Sequence, residues 1–211
     1  MKKLIIIILI LLPLFSYSQD PKRFEEEINK FINSTETYDV VFTGSSSVRL
    51  WESLSQNFPE ISLINTGFGG SEMQDLLFYI DDLVIDYRPQ KIFIYEGDND
   101  INSGKSLDQI MNATTGVLNE VFSKIENAEV YIISPKPSPS RFHLKDTYEA
   151  LNDRLKELSA QRDQVEFIDV WTPMLNKEGQ PFPHIFIEDQ LHMNAEGYAI
   201  WKEVIAPYLS N

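Results

Sequence analysis

The feature that most constrains this chain is an alternation. Five short apolar runs, many of their residues β-branched, lie at 39–43 (DVVFT), 61–64 (ISLI), 91–95 (KIFIY), 129–134 (EVYIIS) and 165–170 (VEFIDV). Between them come segments with helical periodicity. Residues 71–85 carry a stripe of Leu76, Leu77, Ile80, Leu83 and Val84 behind a capping Ser71, and 107–125, 144–161 and 195–207 also read as helices. Residues 48–54 read as a helix start, and 21–32 as an amphipathic helix ahead of the first strand, with Phe24, Ile28, Phe31 and Ile32 on one side. The stretch PKPSPSR at 135–141 reads as a loop. Short continuous apolar strands belong to sheets covered on both faces. Strand and helix in strict alternation specify a mostly parallel sheet between helical layers, with right-handed crossovers. The expectation is an α/β fold, a three-layer α/β/α sandwich with a five-stranded parallel sheet, formed by one domain over 19–211.

Composition supports a packed domain. Hydrophobic residues are 43% and charged residues 24% of 211, enough apolar content for a core. The formal net charge of -14 disfavours nucleic acid as a partner, because phosphate contacts need a basic surface. It also disfavours a mainly electrostatic hold on anionic lipid. With no cysteine, disulfides, thiolate metal sites and a cysteine nucleophile are excluded.

The first twenty residues, MKKLIIIILILLPLFSYSQD, have a different character. Lys2 and Lys3 precede an apolar run over 4–12, Pro13 breaks it, and Ser16 and Ser18 supply small residues at the cleavage-specifying positions. The run is shorter than the ~20 residues needed to span a bilayer. Residues 1–18 therefore read as a secretory signal peptide, and the mature protein is expected in the periplasm or outside the cell, with no stable membrane insertion after cleavage. Without a cysteine after the leader, no lipid anchor is expected.

In open α/β sheets the ligand crevice lies beyond the carboxyl ends of the strands. There the chain places Gly44-Ser45-Ser46-Ser47, then Asn65-Thr66-Gly67-Phe68-Gly69-Gly70, then Gly97-Asp98-Asn99-Asp100, then Arg141, and after the fifth strand a segment ending in Asp189-Gln190-Leu191-His192. A serine on a strand-to-helix turn after glycine presents its hydroxyl, and such a hydroxyl needs a base and fixed N–H donors to carry out acyl transfer. Of the three histidines, His143, His184 and His192, only His192 has an acid three residues earlier in a turn-like segment, where Asp189 can fold back to the ring. Composition and spacing leave Ser45, Ser46 and Ser47 as equal candidates.

The blocks VVFTGSSSVRLW, NTGFGGS, YEGDND and DQLHMNAEGY resemble, in order, the four signature blocks of the SGNH hydrolases, also called the GDSL esterase/lipase family. The resemblance runs from about residue 39 to 208 and is nearest the carbohydrate-esterase-like and platelet-activating-factor-acetylhydrolase-like members. It implies the flavodoxin-like SGNH hydrolase fold and a residue-by-residue assignment. Ser46 is the nucleophile, His192 the base and Asp189 the acid; the Ser46 and Gly70 N–H groups and the Asn99 side chain form the oxyanion hole. The family pattern usually has Asp just before the nucleophile, where this chain has Ser45.

The expected activity is that of a serine hydrolase on short-chain esters, with acetyl groups on carbohydrates the favoured substrate. The alternatives are a lysophospholipase or thioesterase, and an inactive carbohydrate-binding module on the same scaffold. Arg49, Arg141 and His184 are the candidate substrate contacts. Asp98 and Asp100 read as turn or solvated residues, Asn65 as a brace for the second loop, and Trp51, Trp171 and Trp201 as core. The acid pairs Asp81–Asp82 and Asp98–Asp100 lack ligand spacing for a metal, and no cofactor is expected.

Overall fold

A computed structural model describes residues 21–209. The expected signal peptide over 1–18 lies outside the described residues. Strands β1 (Val40–Gly44), β2 (Leu63–Asn65), β3 (Lys91–Tyr95), β4 (Glu129–Ile133) and β5 (Val165–Ile168) form one wholly parallel sheet in the order β2-β1-β3-β4-β5. The helices are α1 (Glu25–Ile28), α2 (Ser46–Arg49), α3 (Leu54–Asn57), α4 (Met73–Phe78), α5 (Ile80–Leu83), α6 (Asp98–Asn102), α7 (Leu107–Lys124), α8 (Lys145–Ala160) and α9 (Ala195–Leu209).

Successive strand side chains alternate between two cores. Val41, Ile92, Ile94, Val130 and Ile132 join Leu76, Leu83, Val117, Val121, Leu151 and Leu155 from α4, α5, α7 and α8. Phe42, Phe93, Tyr95, Tyr131 and Ile133 face the other way, onto Trp51, Leu54, and Trp201 and Ile205 of α9. Phe42, Phe93 and Tyr131 stack in a row across β1, β3 and β4 with centroid separations of 4.4 and 4.6 Å. Both faces of the sheet are therefore buried, which is why its strands read as unbroken apolar runs. The tryptophans are core residues: Trp51 and Trp201 are fully buried and Trp171 nearly so.

Several elements differ from the sequence expectation. The helix expected over 71–85 is broken into α4, α5 and a 3-10 turn at Ile85–Tyr87. It begins at Glu72, which forms a reciprocal capping box with Asp75. Ser71 does not cap it; its hydroxyl oxygen lies between the Phe68 carbonyl and Glu96. Tyr79, at φ -102 and ψ 18, interrupts the helical path, and its ring packs edge-on against Phe68. The N-terminal amphipathic segment shortens to a 3-10 turn (Pro21–Phe24) and α1, yet Phe24, Ile28 and Phe31 are buried. The segment expected to be a loop at 135–141 turns into a 3-10 helix at Pro139–Leu144, whose first residue is a proline with φ already suited to the turn.

The strand order reverses direction between β1 and β3, so their carboxyl ends open a crevice. The helices that follow β1 and β3, α2 and α6, carry Ser46 and Asn99.

Candidate active site

The turn after β1 is tight. Gly44 has φ +124, and a β-carbon there would lie 2.1 Å from the Tyr95 carbonyl oxygen at the end of β3. The Ser45 N–H donates to that same oxygen at 3.0 Å, and α2 starts at the next residue. The turn is fixed from two further sides. Asn65 donates from Nδ2 to the Val48 carbonyl at 2.7 Å and accepts from the Gly67 N–H at 2.9 Å. The Tyr198 hydroxyl of α9 donates to the Ser47 carbonyl at 3.0 Å. Ser45 and Ser47 are only 1% and 2% exposed, whereas Ser46 lines a cleft.

His192 comes from the segment before α9. An antiparallel bridge between Phe186 and Met193 closes it, and Gln190 turns the chain with φ +56. Asp189 folds back inside this turn. Its Oδ1 accepts the Leu191 and His192 N–H groups at 2.8 and 2.9 Å, and its Oδ2 lies 2.6 Å from His192 Nδ1. His192 Nε2 lies 2.9 Å from Ser46 Oγ. Partial burial disfavours the Asp189 carboxylate, but the hydrogen bonds from the His192 side chain and two backbone N–H groups outweigh it and bring its pKa down to about 2. An ionised Asp189 holds the proton on Nδ1, so Nε2 is free to accept from the serine hydroxyl.

The second and third loops face this trio. Gly70 has φ +79, and a β-carbon there would meet nothing within 4 Å, so its backbone borders open space in the cleft. Asn99, on α6, donates from Nδ2 to the Ser71 carbonyl at 2.8 Å and accepts at Oδ1 from Arg141 Nη1 at 3.1 Å. Helix α6, which the sequence reading missed, opens at Gly97 with φ +102, where a β-carbon would come 2.8 Å from Leu151.

The acids around Asn99 are not solvated, contrary to the sequence reading. Asp98 and Asp100 are 4% and 1% exposed. Asp98 accepts from Arg141 Nη1 at 2.6 Å, Lys136 Nζ at 3.2 Å, the Tyr95 hydroxyl at 2.9 Å and the Tyr148 hydroxyl. Burial opposes its charge, yet the two cations beside it hold its carboxyl well below the usual range. Asp100 accepts from the Met73 N–H, and burial raises its pKa to about 6. These partners come from β3, β4's following loop, α4 and α8. No periodicity in the chain marks their convergence; the one available signal was three acids within five residues at a strand end.

Among the expected substrate contacts, Arg49 lines the cleft beside Glu27, its Nε 3.5 Å from the carboxylate, over Gly69. Arg141 lines the cleft too, but its Nη1 is committed to Asp98 and Asn99. His184 is not part of the lining; its exposed imidazole faces Glu196 at 3.6 Å. The cleft holds about 620 Å³ and is bordered by Glu27, Ser46, Gly69, Gly70, Asn99, Leu191 and His192 besides the two arginines. A larger cavity of about 930 Å³ lies at the amino end of the sheet, around Gln90 and Asn127, away from the serine and histidine. No group of three or more metal-ligating side chains occurs among the described residues.

An ester-hydrolase architecture follows from this fold and site. Residues 34–200 match the GDSL-like lipase/acylhydrolase family, and the chain belongs to it, among the ester-hydrolysing SGNH enzymes. No curated protein matches the chain. Among solved structures, it is similar to a Streptococcus pneumoniae protein provisionally described as a platelet activating factor (22% identity, TM-score 0.81, covering 89% of this chain and 93% of that one). A GDSL-like lipase from Bacteroides thetaiotaomicron is 20% identical with TM-score 0.74, covering 90% of this chain and 97% of the other. An acetylxylan esterase from Geobacillus stearothermophilus is 15% identical with TM-score 0.68, covering 83% and 95%. At these identities the likeness speaks for the fold.

Proposed function

We propose that this protein is an exported serine esterase that removes short acyl groups, acetyl above all, from carbohydrate esters. The observation that carries the catalytic part is the unbroken chain from Ser46 Oγ to His192 Nε2 at 2.9 Å and from His192 Nδ1 to Asp189 Oδ2 at 2.6 Å.

His192 Nε2 takes the Ser46 proton as Oγ attacks the ester carbonyl carbon, and the carbonyl oxygen becomes an oxyanion. The Ser46 and Gly70 N–H groups and the second Asn99 Nδ2 hydrogen stabilise that charge. His192 passes its proton to the leaving alkoxide as the acyl–oxygen bond breaks. A water, deprotonated by His192, then attacks the acyl-enzyme, and Ser46 Oγ recovers the proton. Asp189 stays ionised throughout and steadies the imidazolium.

Short acyl groups suit an open cleft bordered by arginines, a glutamate and small residues, with Leu191 as its one large apolar side chain among the described residues. The likeness to an acetylxylan esterase agrees with a carbohydrate ester. Export rests on the composition of residues 1–18.

A fluorophosphonate probe tests the nucleophile. Labelling lost in Ser46→Ala and retained in Ser47→Ala is expected; labelling that survives Ser46→Ala removes the reading. A series of aryl esters tests the acyl group, with rates expected to be highest for acetyl. Rates that peak at long chains would point to acyl lipids instead.

A further inference from the structure

An asparagine amide acts as an oxyanion donor only while its nitrogen, and not its oxygen, faces the substrate. The two ends have nearly the same shape, so what holds Asn99 in one orientation is the hydrogen-bond pattern around it. That pattern is asymmetric. At one end stands the Ser71 carbonyl, which can only accept, 2.8 Å from Nδ2. At the other stands Arg141 Nη1, which can only donate, 3.1 Å from Oδ1. Rotating the amide by a half turn would set oxygen against oxygen at Ser71 and N–H against N–H at Arg141. With Ser71 satisfied by one Nδ2 hydrogen, the second is left for the cleft that Asn99 lines.

The guanidinium is itself held in place. Arg141 Nη1 lies 2.6 Å from Asp98 Oδ1 and 3.2 Å from the Asp98 carbonyl, and only 14% of the side chain is exposed. Asp98 in turn is seated on Lys136, Tyr95 and Tyr148 inside the domain. A cation intended mainly for substrate would not spend the same nitrogen on a buried carboxylate, a backbone carbonyl and the amide of a neighbouring residue.

We infer that Arg141, seated on buried Asp98, is the positioning residue that locks the Asn99 side-chain amide with its nitrogen toward the oxyanion. This rests on the reading of Asn99 as an oxyanion donor and goes beyond it, because it gives Arg141 a role exerted through Asn99 and not through the substrate. Asp98, buried behind it, extends the same support without reaching the cleft.

The test is a double-mutant cycle between Arg141→Gln and Asn99→Ala, with acetyl and propionyl aryl esters of differing alcohols. In the wild-type background Arg141→Gln is expected to lower kcat by about ten- to a hundredfold, part of the ~10²–10³ that one oxyanion donor supplies, with KM changed less than about threefold. In the Asn99→Ala background the same substitution is expected to change kcat less than about threefold, because the amide it positions is gone. A loss of equal size in both backgrounds, or one confined to KM and varying with the alcohol, overturns the inference and makes Arg141 a direct substrate contact. If Arg141→Gln does not melt cooperatively, Arg141→Lys is read by the same criterion. Lysine keeps a charge near Asp98, but its ammonium lacks the planar guanidinium that sets Nη1 against both Asp98 and Asn99. Failure of the underlying reading looks different: Asn99→Ala alone would then leave kcat unchanged.

Discussion

Ser46 Oγ and His192 Nε2 stand 2.9 Å apart although 146 positions separate the two residues in the chain. Neither is held by the other. Ser46 is fixed by the Gly44 turn against Tyr95 and by the Asn65 bridge, and His192 by the Phe186–Met193 bridge and Asp189. In the proposed mechanism the hydroxyl and its base therefore already stand at hydrogen-bond distance before proton transfer.

Asp189→Asn is expected to leave the fold intact and lower kcat by roughly 10⁴, the size of loss seen when an imidazole is left in the wrong tautomer. The amide can still accept the Leu191 and His192 N–H groups at Oδ1, but its NH₂ would face Nδ1 as a donor and drive the ring proton to Nε2. Thermal melts within a few degrees of wild type, together with the rate loss, would support this. Near-wild-type rates would show that Asp189 is not the orienting acid.

The depressed Asp189 pKa fixes the sign of its link to pH. Its folded value of about 2 lies below the ordinary 3.8. The contribution of its ionised form to stability is therefore fully present above the unfolded pKa and is lost only as pH falls from about 3.8 through about 2. In a ¹³C carboxyl titration the Asp189 resonance is expected to stay at its ionised position at pH 4; a midpoint near 4 would contradict this.

Asp100 runs the other way. Burial raises its pKa to about 6 from 3.8, so the folded state binds the proton more tightly than the unfolded chain. This contribution is fully present below the unfolded pKa and is lost as pH rises through about 6, up to about 3 kcal/mol on integrating the shift. Asp100→Asn keeps an acceptor for the Met73 N–H and carries no charge. Its urea-denaturation midpoint is expected to fall less than that of the wild type between pH 4 and pH 7. Equal changes in the two proteins would show that Asp100 does not titrate in that window.

Much of this was legible in the chain. All five strands lie where the apolar runs are, within two residues at each end, because a strand buried on both faces cannot hide its composition. Gly44, Asn65 and the three tryptophans also behave as their types suggest. The break of the 71–85 helix was not legible: Leu76, Leu83 and Val84 keep a helical stripe, yet the backbone leaves the helical path at Tyr79, whose ring packs on Phe68. Asp98 and Asp100 were misread because short polar residues after a glycine usually face solvent. Asp98 meets a lysine, an arginine and a tyrosine that lie 38 to 50 positions away, and Asp100 meets the Met73 N–H 27 positions before it. His184 looked close to the site by sequence, yet it sits in a short 3-10 turn at Pro183–Ile185, outside the cleft lining, with its ring facing Glu196.

The bonding around Ser71 favours a protonated Glu96. The Ser71 hydroxyl has one hydrogen, and both the Phe68 carbonyl at 3.1 Å and Glu96 Oε1 at 2.5 Å lie within reach. If Glu96 is protonated, it donates to Ser71 Oγ and Ser71 donates to Phe68, so both contacts are satisfied. An ionised Glu96 would leave the Phe68 carbonyl without that donor and Oε2, which has no partner, as a bare buried anion. Burial, with Asp100 nearby, raises the Glu96 pKa well above the ordinary carboxylate value in the same sense. Glu96→Gln supplies a neutral donor of the same shape and is expected to melt within a few degrees of wild type at pH 7. Glu96→Ala removes the donor, opens a cavity under the Gly70 loop and is expected to cost roughly 2–4 kcal/mol in chemical denaturation. If Gln proved as damaging as Ala, the buried group would have to be the carboxylate, and the bond assignment around Ser71 would be reversed.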